Sequence, residues 1–165
     1  MSHLRKKITA VSLLFLTALA TAAGDQIGGT VIKISDGDTI IISTGKEQLK
    51  IRLNGIDCPE RSQAFGRKAK QFTANMVFRK KVKVITHGLD TYGRIIGDVH
   101  CKDGRSLNKE LVKAGLAWWY RRYAPDNREL AALEASARKA GRGLWADKNP
   151  TAPWEFRWRE RKKRR

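Results

Sequence analysis

The sequence predicts an α+β domain in which five short strands close a small barrel and three helices cover it. Three observations carry that expectation. Apolar, β-branched runs recur at strand length, three later stretches show helical apolar spacing, and a sheet this small hides its edges most economically by closing.

The first strand is read over Thr30 to Ile34 and the second over Thr39 to Ile42. In the third, Leu49, Ile51 and Leu53 alternate with Gln48, Lys50 and Arg52, so one face is apolar and the other polar. Residues 43 to 47, "STGKE", form the hairpin turn between the last two. A turn centred on Gly45 sets Asp38 opposite Arg52 and leaves the arginine beside an acidic cluster.

A helix over about Gln63 to Phe78 follows, with Phe65, Ala69, Phe72 and Met76 on its inner face. Val82 to Thr86 and Ile95 to Cys101 read as strands, joined through the turn "DTYGR" at 90 to 94, and "KDG" at 102 to 104 is a tight turn. Ser106 can cap a second helix that carries Leu107, Leu111 and Val112 and ends at Gly115. Asn127 or Asp126 can cap a third, with Leu130, Leu133 and Ala137, ending near Gly141. After Trp145 the reading is irregular through Pro150 and Pro153. No repeat of fixed period is present.

Residues 1 to 23 are set aside from the fold. Arg5, Lys6 and Lys7 precede the apolar run Ile8 to Ala20, which ends in the small residues Thr21, Ala22 and Ala23, the pattern of a secretory signal peptide. That run is shorter than the roughly 20 residues a membrane-crossing helix needs, so no stable membrane insertion is expected after cleavage. The mature chain is expected to be exported, to periplasm or medium. It would comprise a single domain over 24–149 and a basic tail over 150–165.

The formal net charge of the chain is +18, and removal of 1 to 23 takes three positive charges and no negative one, leaving +15. Such a charge favours a polyanionic partner: nucleic acid, anionic lipid or acidic polysaccharide. Neither Cys58 nor Cys101 sits in a CxxC pair, and His3, His87 and His100 form no metal-ligand grouping, so a zinc site is not expected. A cationic protein acting on anionic envelopes would account for charge and export, but not for the acidic residues gathered between 35 and 60.

Four of those five residues lie in "ISDGDT" and "DCPE". Taken singly, Asp36 and Asp38 are ordinary turn formers, and Asp57 and Glu60 are ordinary surface acids after a strand. Together they read differently. A hairpin that starts after Asp38 and ends before Asp57 can bring both carboxylates to one end of the sheet, and hard oxygen donors so placed suit a divalent cation such as calcium. Arg52, Glu60 and Arg94 nearby supply what phosphoryl transfer needs: a group to orient water and cations to take up charge on phosphate oxygens. Arginine suits the second task because its planar fork bonds phosphate through two parallel hydrogen bonds.

The ordered set "ISDGDT" (34–39), "IRLNGIDCPE" (51–60), "DTYGR" (90–94), "LNKELVKAGLA" (107–117), "YAPDN" (123–127) and "GLWAD" (143–147) resembles the staphylococcal nuclease (thermonuclease) family. The resemblance implies an OB-fold, a five-stranded barrel with three helices. It also implies a calcium-dependent enzyme, with one ion, that hydrolyses DNA and RNA to 3′-phosphate ends with low sequence preference on single-stranded or frayed substrate. Matched by motif, Asp38 and Asp57 are metal-binding carboxylates and the carbonyl of Cys58 is a backbone ligand. Arg52, Glu60 and Arg94 match the catalytic positions, and Asp36 contributes through water. At the substrate pocket the family's tyrosine pair is only half kept: Tyr123 is present, but Arg121 stands at the other place. The alternative is an OB-fold module that binds nucleic acid without cutting it; the five filled positions weigh against that.

Four smaller expectations complete the reading. Trp118 and Trp119 are packing residues rather than a base platform. Cys101 lies seven residues beyond Arg94, up to ~23 Å along an extended strand, so no Cys58–Cys101 disulfide is expected. The tail from Phe156 to Arg165, with seven basic residues against Glu160 alone, is expected to be disordered and to add non-specific phosphate contacts. A monomer is the simplest assembly for so like-charged a surface.

Overall fold

A computed structural model describes residues 25–164; the expected signal peptide at 1–23 lies outside the described residues. The alternation read from the sequence produces five principal strands: β1 (Gln26–Asp36), β2 (Thr39–Ser43), β3 (Gln48–Leu53), β5 (Lys81–Leu89) and β6 (Ile95–Cys101). They close a barrel in the order β1-β2-β3-β6-β5. All pairings are antiparallel except β3 with β6, where Ile51 faces Ile95, Arg52 faces Ile96 and Leu53 faces Gly97. Val31, Ile40, Ile42, Ile51, Leu53, Val84 and Val99 fill the interior, each at most 1% exposed. At about 0.8 kcal/mol per buried methylene, this interior is the main source of the barrel's stability.

The hairpin register differs by one residue from the expected one. Thr39, not Asp38, faces Arg52. The turn is a four-residue loop, Thr44 to Glu47, closed by the Glu47 carbonyl accepting from the Thr44 N–H at 3.0 Å, so its centre falls between Gly45 and Lys46. Asp38 instead uses its carbonyl to accept from the Leu53 N–H at 2.9 Å.

Helix α1 (Gly66–Val77) buries Gly66, Ala69, Thr73 and Val77, with Phe65, Phe72 and Met76 only partly covered. Its inner face is thus turned about one residue from the expected stripe, with Ala69 common to both. Helix α2 (Leu107–Lys113) starts at Ser106, whose hydroxyl accepts from the Lys109 N–H, and α3 (Arg128–Lys139) starts at Asn127, whose side chain accepts from the Leu130 N–H at 3.0 Å. These caps are the expected ones. A small second sheet pairs β4 (Ile56–Asp57) with β7 (Trp118–Trp119) at one end of the barrel.

The main departure is at the C-terminus. After a short 3-10 turn at Gly143–Ala146, residues Pro153–Lys163 form a fourth helix, α4, where disorder was expected. Pro153 occupies the first turn, where its missing N–H costs nothing; Glu155 lies near the positive end of the helix dipole, and Arg161, Lys162 and Lys163 lie near the negative end. The segment is tied to the domain: the Gln63 amide donates to the Thr151 carbonyl at 2.6 Å, and Ala152 and Pro153 are buried. Among the described residues no helix is long and apolar enough to cross a membrane. Cys58 and Cys101 are both free thiols.

Candidate active site

The site begins with the turn Asp36-Gly37-Asp38 between β1 and β2. A Cβ on residue 37 would lie 2.8 Å from the Ala69 Cβ and 2.9 Å from the Cys58 side chain, so only glycine lets α1 and the Cys58 segment press on this turn. The Thr73 hydroxyl, on α1, fastens it by donating to the Gly37 carbonyl at 2.5 Å. Asp38 is thereby held at 7% exposure, with Oδ2 accepting from the Cys58 N–H at 2.7 Å and Oδ1 from the Thr39 hydroxyl at 3.1 Å. One hydrogen bond therefore joins the two acidic motifs. It uses the N–H of Cys58 rather than the carbonyl.

Arg52 crosses the end of the barrel despite the altered register. Its Nη1 donates to the carbonyls of Leu53 and Ile56, both at 2.9 Å, and its Nη2 lies 2.9 Å from Asp57 Oδ1 and 3.3 Å from Asp38 Oδ2. The guanidinium thus sits between the two carboxylates. Burial opposes its charge, but Asp38 and Asp57 more than offset that and raise its pKa.

Asp57 is 1% exposed, and burial pushes its carboxyl above the usual carboxylate range, opposed by hydrogen bonding and charge from Arg157 and by the charge of Arg52. Arg157 comes from α4. Its Nη2 lies 2.7 Å from Asp57 Oδ2, and its Nη1 lies 2.7 Å from Glu60 Oε1 and 3.2 Å from Asp57 Oδ1. Burial works against the Arg157 charge, yet its bonds to Asp57 and Glu60 outweigh this and raise its pKa. Burial, then the charges of Asp38 and Glu60, raise Asp36. Burial, then the charge of Asp38, pushes the Cys58 thiol well up, so this cysteine is an inert neutral neighbour.

Arg94 enters from the loop before β6. Its Nε donates to Asp90 Oδ2 at 2.6 Å, while Asp90 Oδ1 accepts from the N–H groups of Tyr92 and Arg94 at 2.9 and 3.0 Å. Asp90 is thus a positioning residue that sequence reading assigned only to a turn.

A cleft of about 780 Å³ opens over these groups. Asp36, Asp38, Arg52, Cys58, Glu60 and Arg94 line it, with Tyr123 on the rim and Asp57 beneath Arg157. Arg121 is not in that lining. Its guanidinium lies over the Trp119 ring at 4.8 Å, in a separate groove, and Arg122 and Tyr120 take the cleft-facing places beside Tyr123. Trp118 is a packing residue, edge-on to Trp145 at 4.4 Å and to Trp154 at 5.5 Å, while the Trp119 indole donates to the Ala124 carbonyl at 2.9 Å. The cleft's remaining wall, with Trp154, Arg157 and Arg161, belongs to α4.

As a donor set, Asp36, Asp38, Asp57 and Glu60 offer hard oxygens and no soft ligands, which suits calcium or magnesium rather than zinc. Among the described residues no three acidic, histidine or cysteine side chains are drawn together tightly enough to hold an ion as arranged. The two guanidiniums explain why: Arg52 and Arg157 take the positions around Asp57 that a cation would share. The residues therefore fit such an ion in kind, on condition that Arg157 gives up Asp57 Oδ2.

Residues 50–147 match the staphylococcal nuclease homologue family, a span that holds Arg52, Asp57, Glu60 and Arg94 but starts after Asp38 and stops before α4. A Haemophilus influenzae protein described as an uncharacterized endonuclease is 40% identical over 96% of this chain and 89% of its own length. An Escherichia coli protein of the same description is 39% identical over 96% of this chain and all of its own. A Shigella flexneri protein described as a micrococcal nuclease is 35% identical over 91% of each.

Proposed function

The chain belongs to the staphylococcal nuclease family, and from that premise we propose that it is an exported, calcium-dependent nuclease that hydrolyses DNA and RNA with low sequence preference, leaving 3′-phosphate ends. The observation that carries the reading is the shared cleft: Asp36, Asp38, Arg52, Glu60 and Arg94 line it at one end of a closed barrel, with Asp57 buried beneath, in a strongly cationic chain.

Asp38, Asp57 and the carbonyl of Cys58 would hold the ion, which when bound withdraws charge from a phosphate oxygen and lowers the barrier to attack. Glu60 orients the attacking water and accepts its proton as the water oxygen bonds to phosphorus. Arg52 and Arg94 steady the phosphate and offset charge on the five-coordinate transition state. The P–O5′ bond then breaks, Arg94 balancing charge on the leaving oxygen until solvent protonates it. Asp36 acts through water, and Tyr123 packs on the nucleotide at the rim. Single-stranded or frayed substrate suits the open cleft, and a monomer suits the like-charged surface. Export rests on the pattern of residues 1 to 23.

The pairing of Asp57 and Glu60 with Arg157 favours a second reading, a binding module whose chemistry is capped. The protein incubated with heat-denatured DNA separates the two: acid-soluble product in calcium but not in chelator supports the nuclease, and retention without release in calcium supports the module. Glu60→Gln should slow cleavage by roughly 10²–10⁴ while keeping calcium-dependent nucleotide binding, since the mutation removes the base and no proposed metal ligand. Equal rates for the two proteins would take Glu60 out of the mechanism.

A further inference from the structure

Helix α4 is unlike the rest of the chain. It carries no apolar stripe, yet it is docked, and the side chains it sends into the cleft are Trp154, Arg157 and Arg161, spaced three and four residues apart. That spacing puts all three on one face. Trp154 stacks on Tyr120 with ring centroids 5.2 Å apart and planes 19° apart, and Tyr120 meets Tyr123 edge-on at 5.0 Å, so an aromatic ledge runs from α4 to the rim. Arg157 is spent on Asp57 and Glu60 through Nη1 and Nη2, leaving its Nε–H without a partner among the described residues. Arg161 has no hydrogen-bond or ion-pair partner among the described residues, although Glu155 and Glu160 on the same helix pair with Arg159 and Lys163. An arginine that faces a cleft and leaves nearby carboxylates to other cations is available to an anion from outside.

We propose that α4 is a wall of the nucleic-acid groove, with Arg161 binding a backbone phosphate of a single strand and Arg157 facing the phosphate next to it, beside the site of cleavage. The inference rests on the nuclease reading and deepens it. The two residues are four apart on α4, about 6 Å along the helix axis, comparable with the step between successive phosphates of an extended strand. The aromatic ledge lies alongside for the bases, and base stacking on aromatic rings tolerates any sequence. Without the ion, Arg157 also screens Asp57 and Glu60, whose charge would otherwise repel the strand. The groove wall is therefore face-specific, unlike a charged tail that adds attraction from every side.

The test is the salt dependence of binding to a short fluorescein-labelled single-stranded oligodeoxythymidylate, followed by anisotropy in chelator, where cleavage does not interfere. Arg161 makes no hydrogen bond or ion pair among the described residues that would seat α4, so R161Q separates phosphate binding from docking. It should reduce the slope of log K against log salt by about 0.7, one single-strand contact. R159Q removes the same charge from a side chain outside the cleft lining and should leave the slope unchanged. Equal slopes for R159Q and R161Q, whether both fall or neither does, would overturn the groove wall. A wild-type protein that neither binds nor cuts any nucleic acid would overturn the wall together with the nuclease reading itself.

Discussion

Helices α1 and α4 both bear on the same site, α4 by lining the cleft and α1 by packing behind the turn that carries Asp36 and Asp38, and they are held by different forces. Helix α1 buries Ala69, Thr73 and Val77 against the barrel and presses its Ala69 on the Asp36-Gly37-Asp38 turn. Helix α4 buries little beyond Pro153, and it stays in place through Trp154 on an aromatic ledge and Arg157 on two carboxylates. The first is fixed by apolar burial, which is indifferent to salt and to what occupies the cleft. The second is fixed partly by the groups that would do the chemistry, so its seating is coupled to the charge state of the site.

The sharpest break in that comparison is Val77→Ala. Val77 is fully buried, and removing its two methyl groups should cost about 2 kcal/mol of global stability. Thermal melts should show the loss equally at low and high salt. Trp154→Ala should act locally instead. Losing two ring contacts, about 1 to 3 kcal/mol together, should speed tryptic cleavage within α4 roughly five-fold or more. The melting temperature of the barrel should barely move. If Trp154→Ala lowered it as far as Val77→Ala, α4 would be part of the core rather than an attachment to it.

The smallest effect concerns a third wall of the cleft, the loop before β6, at Asp90. Burial works to raise its pKa, but hydrogen bonds from the Arg94 backbone and side chain outweigh that and lower it below 3.8. The sign follows: the loop's contribution to stability is present above 3.8 and lost as pH falls through the lowered native value. Asp90→Asn should therefore be less stable than the parent at neutral pH, by about 1 kcal/mol or less given a partly exposed ion pair. The two melting curves should converge in acid. Convergence on raising the pH instead would show that Asp90 is not held in its charged form.

The contrast also explains what could be read from the sequence. The barrel was legible because Leu49, Ile51 and Leu53 face inward every second residue, and α2 and α3 because Ser106 and Asn127 are good caps before apolar repeats. The hairpin register was missed by one because loop length, not the position of Gly45, decides pairing. Asp36, Asp38, Arg52, Glu60 and Arg94 were legible as one cleft. Helix α4 was not, because its stabilising partners are remote: Arg157 and Asp57 are 100 positions apart, and no apolar period marks the segment. The available signal was weaker and local: Pro153 and Glu155 at the start, cations at the end, and the pairs Glu155–Arg159 and Glu160–Lys163.

The one parallel pairing among the described strands, β3 with β6, has a kinetic consequence. Arg52 lies within that seam and Arg94 immediately precedes it, so two distant parts of the chain must zip together before both guanidiniums face the same space. Such long-range closure is slow to form. Any dianion spanning the two arginines would rivet the seam shut from outside, favouring the folded chain by mass action and lengthening its lifetime against unfolding.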